Sequence, residues 1–295
     1  MAIIFVPAAV SLVYFFQINR TFLKADFYKK SFAQTGFYDQ IINKGLPLVL
    51  ENMFKEKSDA EKMPISKTDL EAAIKQSVTP VWLKEQTEKI LETVFAYIKG
   101  ERQDVGLIIP INDIKSAIMQ KSGLKSEKQE ISKAIPEQFD FNKMIESNQM
   151  PLSSARIYYQ RFELIFKILI IAVPFILILF VLLNLKDIAA FMRWLAVPFL
   201  ISGILLLPPS LINLKTILSF IISKISLPPE VPRDTFDIIR DLAGVISNQF
   251  YRPIKFFSIG IIILSIIMLI VAGIIVRRRV KKVGLNVNQK VVAKR

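Results

Sequence analysis

Three long uncharged apolar runs in the second half of the chain constrain its fold more than any other feature. They cover residues 168–185, 194–214 and 256–276, and the last is followed by the basic residues Arg277, Arg278, Arg279, Lys281 and Lys282. A helix needs ~20 apolar residues to cross a hydrocarbon core of ~30 Å, and each run is close to that length. The sequence therefore predicts an integral membrane protein.

A fourth apolar segment opens the chain. Residues 1–19 carry no charge. They lack the basic start and the Ala-x-Ala-like site of a signal peptide, which favours an uncleaved signal anchor over that alternative. With 52% hydrophobic and 22% charged residues, the chain also has enough charge for a sizeable aqueous part. We expect one region of the chain to lie in the membrane and another to lie in water.

These segments predict a mainly α fold, in which a mostly helical extracytoplasmic domain is inserted between the first and second of four transmembrane helices. The predicted spans are residues 1–19, 164–185, 189–208 and 256–276, the third ending at Pro208 and Pro209. The outer domain then covers residues 20–161, an outer loop covers residues 209–253, and a basic cytoplasmic tail covers residues 277–295.

The distribution of charge orients these segments. The net charge is +14, and the tail after Val276 supplies eight cations and no anion, whereas the outer domain is nearly balanced. Positive charge beside a spanning helix marks the cytoplasmic side. Both termini are therefore predicted on the cytoplasmic side of the plasma (inner) membrane, with residues 20–161 and 209–253 outside.

The basic residues that follow the last helix are candidate site residues. Arg277, Arg278, Arg279, Lys281 and Lys282 are expected to orient the protein and to contact anionic lipid head groups. Nucleic-acid binding is not expected, because no aromatic-interleaved basic patch or known binding motif accompanies the charge.

Helix start and stop signals recur in the outer domain. Ser66 and Thr68 each open a capping-box pattern for a short helix that ends near Lys75. The clearest helix has Thr79 as N-cap, Pro80 in its first position and Gly100 as terminator. Residues 104–111 are a strand candidate, because they are β-branched and bounded by turn residues.

The helix that Thr79 opens is amphipathic. Its apolar stripe is predicted to be buried and its charged face to be solvated. The stripe contains Trp82, Ile90, Leu91, Val94, Tyr97 and Ile98, and the charged face contains Lys84, Glu85, Glu88, Lys89 and Glu92. Trp82 and Tyr97 are the candidate packing or contact residues of the outer domain.

The outer loop is predicted to hold two amphipathic helices. The first should rest in the membrane interface, because its apolar residues share one face. The second should start at Asp234. Its apolar face would contact either lipid or the outer domain, and its balanced charge favours the outer domain. That face contains Phe236, Ile239, Leu242, Ala243 and Ile246.

The composition limits the chemistry of the chain. Histidine and cysteine are absent, which excludes disulfides, cysteine or histidine catalysis and the common zinc and haem ligand sets. No glycine-rich phosphate loop or calcium loop occurs. The polar residues deep in the spans are Ser202, Ser258 and Ser265, and the lack of a buried charge there disfavours an ion-coupled transporter. We expect no enzymatic activity, cofactor or metal.

Five segments at and after the end of the anchor carry a resemblance: Asn19-Arg20-Thr21, Phe27-Tyr28, Gly36-Phe37-Tyr38-Asp39, Thr79-Pro80-Val81-Trp82-Leu83-Lys84-Glu85-Gln86 and Ala96-Tyr97-Ile98-Lys99-Gly100-Glu101. With one anchor, an outer domain and three crossings, they resemble uncharacterised bacterial integral membrane proteins. The helix count and sidedness are also similar to permease subunits of mechanotransmitting ABC systems. The leading hypothesis is a non-enzymatic membrane protein whose outer domain binds an envelope component or a second copy; the alternative is a transport or mechanotransmission subunit.

Overall fold

The computed structural model describes residues 2–47, 66–121, 137–140, 152–184, 187–211, 214–224 and 233–292 of the chain. Its contacts divide the chain into two compact units. The membrane unit comprises Met1–Arg20, Arg161–Ile212 and Gln249–Arg295. The second unit comprises Thr21–Gln160 and Asn213–Asn248.

The described part of the chain is mainly α, as predicted. Its helices are α1 (Ala2–Arg20), α2 (Ala25–Gln34), α3 (Phe37–Gln40, followed by a π-helical turn, Ile41–Gly45), α4 (Lys67–Ser77), α5 (Pro80–Lys99), α6 (Asn112–Lys121), α7 (Leu152–Asn184), α8 (Ile188–Ser210), α9 (Leu214–Lys224) and α10 (Arg233–Val292). Two short strands, β1 (Ile108–Pro110) and β2 (Gln138–Asp140), complete it.

Four of these helices, α1, α7, α8 and α10, are long and apolar enough to cross a membrane. The predicted number of helices able to span a membrane is thus confirmed. Helix α8 begins where the side chain of Asp187 accepts a hydrogen bond from the backbone N–H of Ala189 at 3.0 Å, and it continues through Pro208 and Pro209 to Ser210. The two prolines fall in its last turn, where the N–H of Leu211 donates to the carbonyl of Pro208 at 3.1 Å, so the helix ends within two residues of the predicted end at residue 208.

Helix α10 differs from the prediction in its length. It is one helix of 60 residues, about 90 Å at ~1.5 Å per residue, and it joins the second amphipathic helix of the outer loop, the fourth span and most of the basic tail. Pro253 lies inside it. A single proline removes one backbone hydrogen bond and kinks a helix more readily than it ends one, so the sequence holds no strong stop here.

The membrane unit is packed through aromatic and small residues. The ring of Phe5 on α1 lies 6.1 Å from that of Phe180 on α7 and 5.6 Å from that of Phe199 on α8. Between α8 and α10, the hydroxyl of Ser258 donates to the carbonyl of Gly203 at 2.6 Å. The backbones approach so closely that a Cβ on Gly203 would lie 2.7 Å from Cγ1 of Ile262.

Helices α4 and α6 pack against each other in the second unit. Leu70, Ala73 and Ile118 form their buried cluster. Helix α4 starts at Ser66, whose hydroxyl accepts from the backbone N–H of Asp69 at 3.1 Å, so the first of the two predicted capping boxes is the one used.

Helices α2, α3 and α5 share an aromatic cluster. The ring of Phe95 on α5 lies 5.5 Å from that of Tyr28, and Phe32 stacks on Phe37 at 4.5 Å. Tyr38 is buried beside them. Aromatic rings thus lie at the contacts between these three helices.

The loop between the third and fourth spans contains the predicted first amphipathic helix, α9. Its Lys215 pairs with Asp241 of α10 at 2.9 Å, and the stem of Lys215 lies over Gly244. The predicted apolar face of the second helix is partly wrong, because Ile238 is 3% exposed and Ile239 is 51% exposed.

Candidate functional site

The basic residues after the fourth span lie on helix α10, which continues past them. Arg277, Arg278, Arg279 and Lys281 are all exposed, whereas the side chain of Lys282 lies outside the described residues. The predicted tail is therefore helical to Val292. Because successive side chains of a helix point in different directions, these cations are distributed around the helix axis.

Arg279 has a specific partner at the start of α8. Its Nη1 donates to Oδ1 of Asp187 at 2.8 Å, and the same carboxylate caps α8. Partial desolvation of the Asp187 carboxyl opposes ionisation, but the backbone N–H groups of Ala190 and Ala189 and the Arg279 guanidinium together lower its pKa below the ordinary value of 3.8. The turn between α7 and α8 thus lies at the same end of the membrane unit as the basic residues.

An open groove lies on α8 near this end. It has a volume of about 440 Å³ and is lined by Ala190, Arg193, Trp194, Val197 and Pro198. These positions recur at helical spacing and so share one face. The guanidinium and the indole are exposed at the rim, and Pro198 is buried at the floor. The sequence placed Arg193 near a helix end but did not single out the groove.

Trp82 and Tyr97, the predicted contact residues of the outer domain, are both half-buried on α5. Trp82 lies in the first turn, where its backbone N–H donates to the hydroxyl of Thr79 at 3.1 Å. The ring of Tyr97 faces the guanidinium of Arg156 on α7, 5.6 Å from its carbon. Arg156 also lies against Gly100, which ends α5 in the predicted left-handed conformation.

The charged face of α5 is mostly exposed, as the sequence predicted. One of its residues also has a partner on another helix. Glu92 forms an ion pair with Lys29 on α2. The hydrogen bond to Glu92 raises the pKa of Lys29, against a smaller effect of desolvation and with the help of Glu88 and Asp26. Glu92 remains exposed, as predicted, and α2 also brings it a cation, which the sequence of a single helix does not show.

Strands β1 and β2 form an antiparallel ribbon in which Ile109 is opposite Phe139. Two residues just before it, Val105 and Leu107, are buried, whereas Ile108 is 48% and Phe139 is 38% exposed. The sequence predicted the first strand and missed the second. A three-residue strand carries too little alternation to be recognised without its partner.

No group of three or more acidic, histidine or cysteine side chains that could hold a metal ion occurs within the described ranges. The sequence matches no protein-family model, and no curated protein or solved structure is significantly similar to it.

Proposed function

We propose that this chain is a non-enzymatic protein of the plasma (inner) membrane whose outer domain binds another envelope component or a second copy of itself. The two termini lie in the cytoplasm, and residues 20–161 and 209–253 lie outside. The ion pair between Asp187 and Arg279 supports this topology, because four crossings require the turn between α7 and α8 to be on the same side as the basic residues.

The observation that carries the binding function is the exposed ribbon of β1 and β2. Among the described residues the sheet consists of these two strands, and both carry exposed apolar side chains, Ile108 on β1 and Phe139 on β2. A two-stranded ribbon is marginally stable alone, and free strand edges are templates for pairing with another chain.

The residues next to the ribbon are buried or hydrogen-bonded. Val105 and Leu107 are buried directly before it, and the N–H of Ile111 extends the ladder to the carbonyl of Glu137 at 3.1 Å. Ile108 and Phe139 are therefore exposed apolar side chains on a ribbon that directly follows buried residues. An exposed apolar surface of this kind is the type that a protein partner covers.

A cysteine at residue 108 tests this function, because the chain has no cysteine of its own. We expect Ile108→Cys, carrying a photoactivatable thiol reagent in intact membranes, to form a discrete cross-linked adduct. An adduct of twice the mass indicates a second copy, and any other discrete mass indicates an envelope component.

The matched control is Val81→Cys on α5, since Val81 is 65% exposed and apolar but lies outside the ribbon. Adducts of equal yield from both positions, or none from residue 108, would contradict binding at the ribbon. An Ile108→Lys, Phe139→Lys double variant should abolish copurification of whatever the adduct contains.

The second candidate function is mechanical coupling to an ATPase. Its support is the length of α7 and α10, 33 and 60 residues, because helices that long extend well beyond a hydrocarbon core. Copurification of an ATPase that is lost when residues 184–194 are replaced by a neutral linker would favour this function over the binding one.

A further inference from the structure

The groove on α8 contains a cation near the start of a helix that is able to cross a membrane. Arg193 lies six residues after the capping residue Asp187, about 9 Å along the helix axis. Ala190, Val197 and Pro198 line the groove beside it. A charge at this depth is costly unless it reaches the interface or meets an opposite charge.

Arg193 and Arg279 differ in how their charge is met. Arg279 is paired with Asp187 at 2.8 Å, whereas no acidic side chain forms an ion pair with Arg193 in the part of the chain that the structure describes. The exposed guanidinium of Arg193 carries N–H donors in a planar fork, whose geometry matches the oxygens of a phosphate.

Trp194 gives the groove a second interfacial element. Its side chain is 59% exposed and lies beside Arg193 at the rim. Tryptophan prefers the head-group level of a membrane, where its ring is in an apolar setting and its N–H is hydrated. The groove thus combines a cation, an interfacial ring and an apolar floor, which is the order of polarity along a phospholipid from phosphate to acyl chain.

We propose that this groove binds one anionic phospholipid. The guanidinium of Arg193 holds the phosphate, Trp194 lies at the level of the glycerol, and an acyl chain follows Val197 and Pro198 toward the bilayer centre. The volume of about 440 Å³ fits a head group and the start of the chains, within the ~300–1,000 Å³ range of small-molecule sites. The exposed cations after Val276 raise the local concentration of anionic lipid.

This inference rests on the membrane location of the chain and is independent of the outer-domain contact. The chain has two tryptophans, Trp82 and Trp194, so Trp82→Phe leaves Trp194 as the single reporter at the groove. The full chain with this substitution is placed in phosphatidylcholine vesicles that contain a quarter phosphatidylglycerol, with bromine carried on the acyl chains of one lipid or of the other.

We expect brominated phosphatidylglycerol to quench Trp194 at least threefold more, per mole of brominated lipid, than brominated phosphatidylcholine does. Arg193→Gln should remove the preference. The matched control is Arg252→Gln, since Arg252 is also an exposed arginine beside an aromatic ring, that of Phe256 at 5.9 Å, but lies at the other end of the fourth apolar run. This variant should keep the preference.

Equal quenching by the two lipids in the Trp82→Phe protein overturns the proposal, and so does a preference that survives Arg193→Gln. If the glutamine variant does not insert, Arg193→Lys replaces it. A lysine keeps the charge but not the fork of donors that a phosphate accepts from, so a reduced preference supports the site and an unchanged one overturns it.

Discussion

The carboxylate of Asp187 does two things at once: it caps helix α8 through the N–H of Ala189 at 3.0 Å and pairs with Arg279 at 2.8 Å, 92 positions along the chain. The first contact is local and the second is tertiary. Together they tie the start of one spanning helix to the end of another.

Variants of these two residues should separate the cap from the ion pair. Asparagine is a good N-cap and carries no charge, so Asp187→Asn and Arg279→Gln should destabilise the protein slightly and equally. Asp187→Ala removes both contacts and should be the least stable of the three. Thermal unfolding in a neutral detergent measures the order, and an alanine variant as stable as the asparagine variant would show that the cap contributes nothing.

The pH dependence of this contact follows from its lowered pKa. A carboxyl whose pKa is lower in the folded chain contributes stability above its unfolded value, near 3.8, and loses it as the pH falls through the folded value. The difference in melting temperature between the wild-type chain and Arg279→Gln should be constant from about pH 5 to pH 8 and should vanish in acid below the folded pKa. A difference that changes between pH 5 and pH 8 would assign the effect to another group.

The contact between α8 and α10 should not tolerate a larger residue at Gly203. A Cβ there would meet Ile262 at 2.7 Å and the backbone carbonyl of Ser258 at 3.2 Å, so Gly203→Ala should destabilise the membrane unit by about 1–3 kcal/mol. The matched controls are Gly260→Ala and Gly273→Ala on α10, where nothing lies within 4 Å. These should be neutral or stabilising by up to about 1 kcal/mol, as measured by unfolding in a denaturing detergent series.

Removing the hydroxyl group should change the free energy of unfolding differently at two tyrosines of the aromatic cluster. Tyr28 donates to the carbonyl of Phe22 at 3.2 Å, so Tyr28→Phe should cost about 0.5–1.5 kcal/mol. The buried hydroxyl of Tyr38 has no hydrogen-bond partner among the described residues, so Tyr38→Phe should be neutral or stabilising by about 1 kcal/mol. Fluorescence of Trp82 in a Trp194→Phe background reports the unfolding of this unit in the full chain.

The same unit should lose stability in alkali. Burial raises the pKa of the Tyr28 and Tyr38 hydroxyls, and the hydrogen bond to Glu92 raises that of Lys29. Groups whose pKa is raised by folding contribute stability below their unfolded values, near 10.0 for tyrosine and 10.5 for lysine, and lose it as the pH rises through the folded values. The melting temperature reported by Trp82 fluorescence should therefore fall above about pH 10. The fall should be smaller in the Tyr38→Phe variant.

The proposed sidedness can be measured directly with single cysteines. Ser66 and Lys281 are both exposed, and the chain has no other cysteine to react. In intact cells, a membrane-impermeant maleimide should label Ser66→Cys, and it should label Lys281→Cys only after the membrane is opened. Labelling of residue 281 in intact cells would reverse the topology.

Local interactions in this chain were predictable because each is completed within a few residues. The length of an uncharged run decides whether a helix can span a membrane, and the four spans were found on that basis. The caps at Ser66 and Thr79 and the left-handed Gly100 follow from side chains that reach backbone groups one turn away.

Tertiary structure decided the interactions whose two halves lie far apart in sequence. Lys29 on α2 forms an ion pair with Glu92 on the charged face of α5. The second strand of the ribbon forms only by pairing with the first. Helix α10 continues through Pro253, where the sequence allowed a break. The sequence by itself determined a mainly α chain with four helices able to cross a membrane and a block of cations after the last. Only the tertiary structure decided that Arg279 pairs with Asp187 and that Arg193 lines a groove on α8. The physical reason is that the partner of a charged side chain depends on which helices pack beside it.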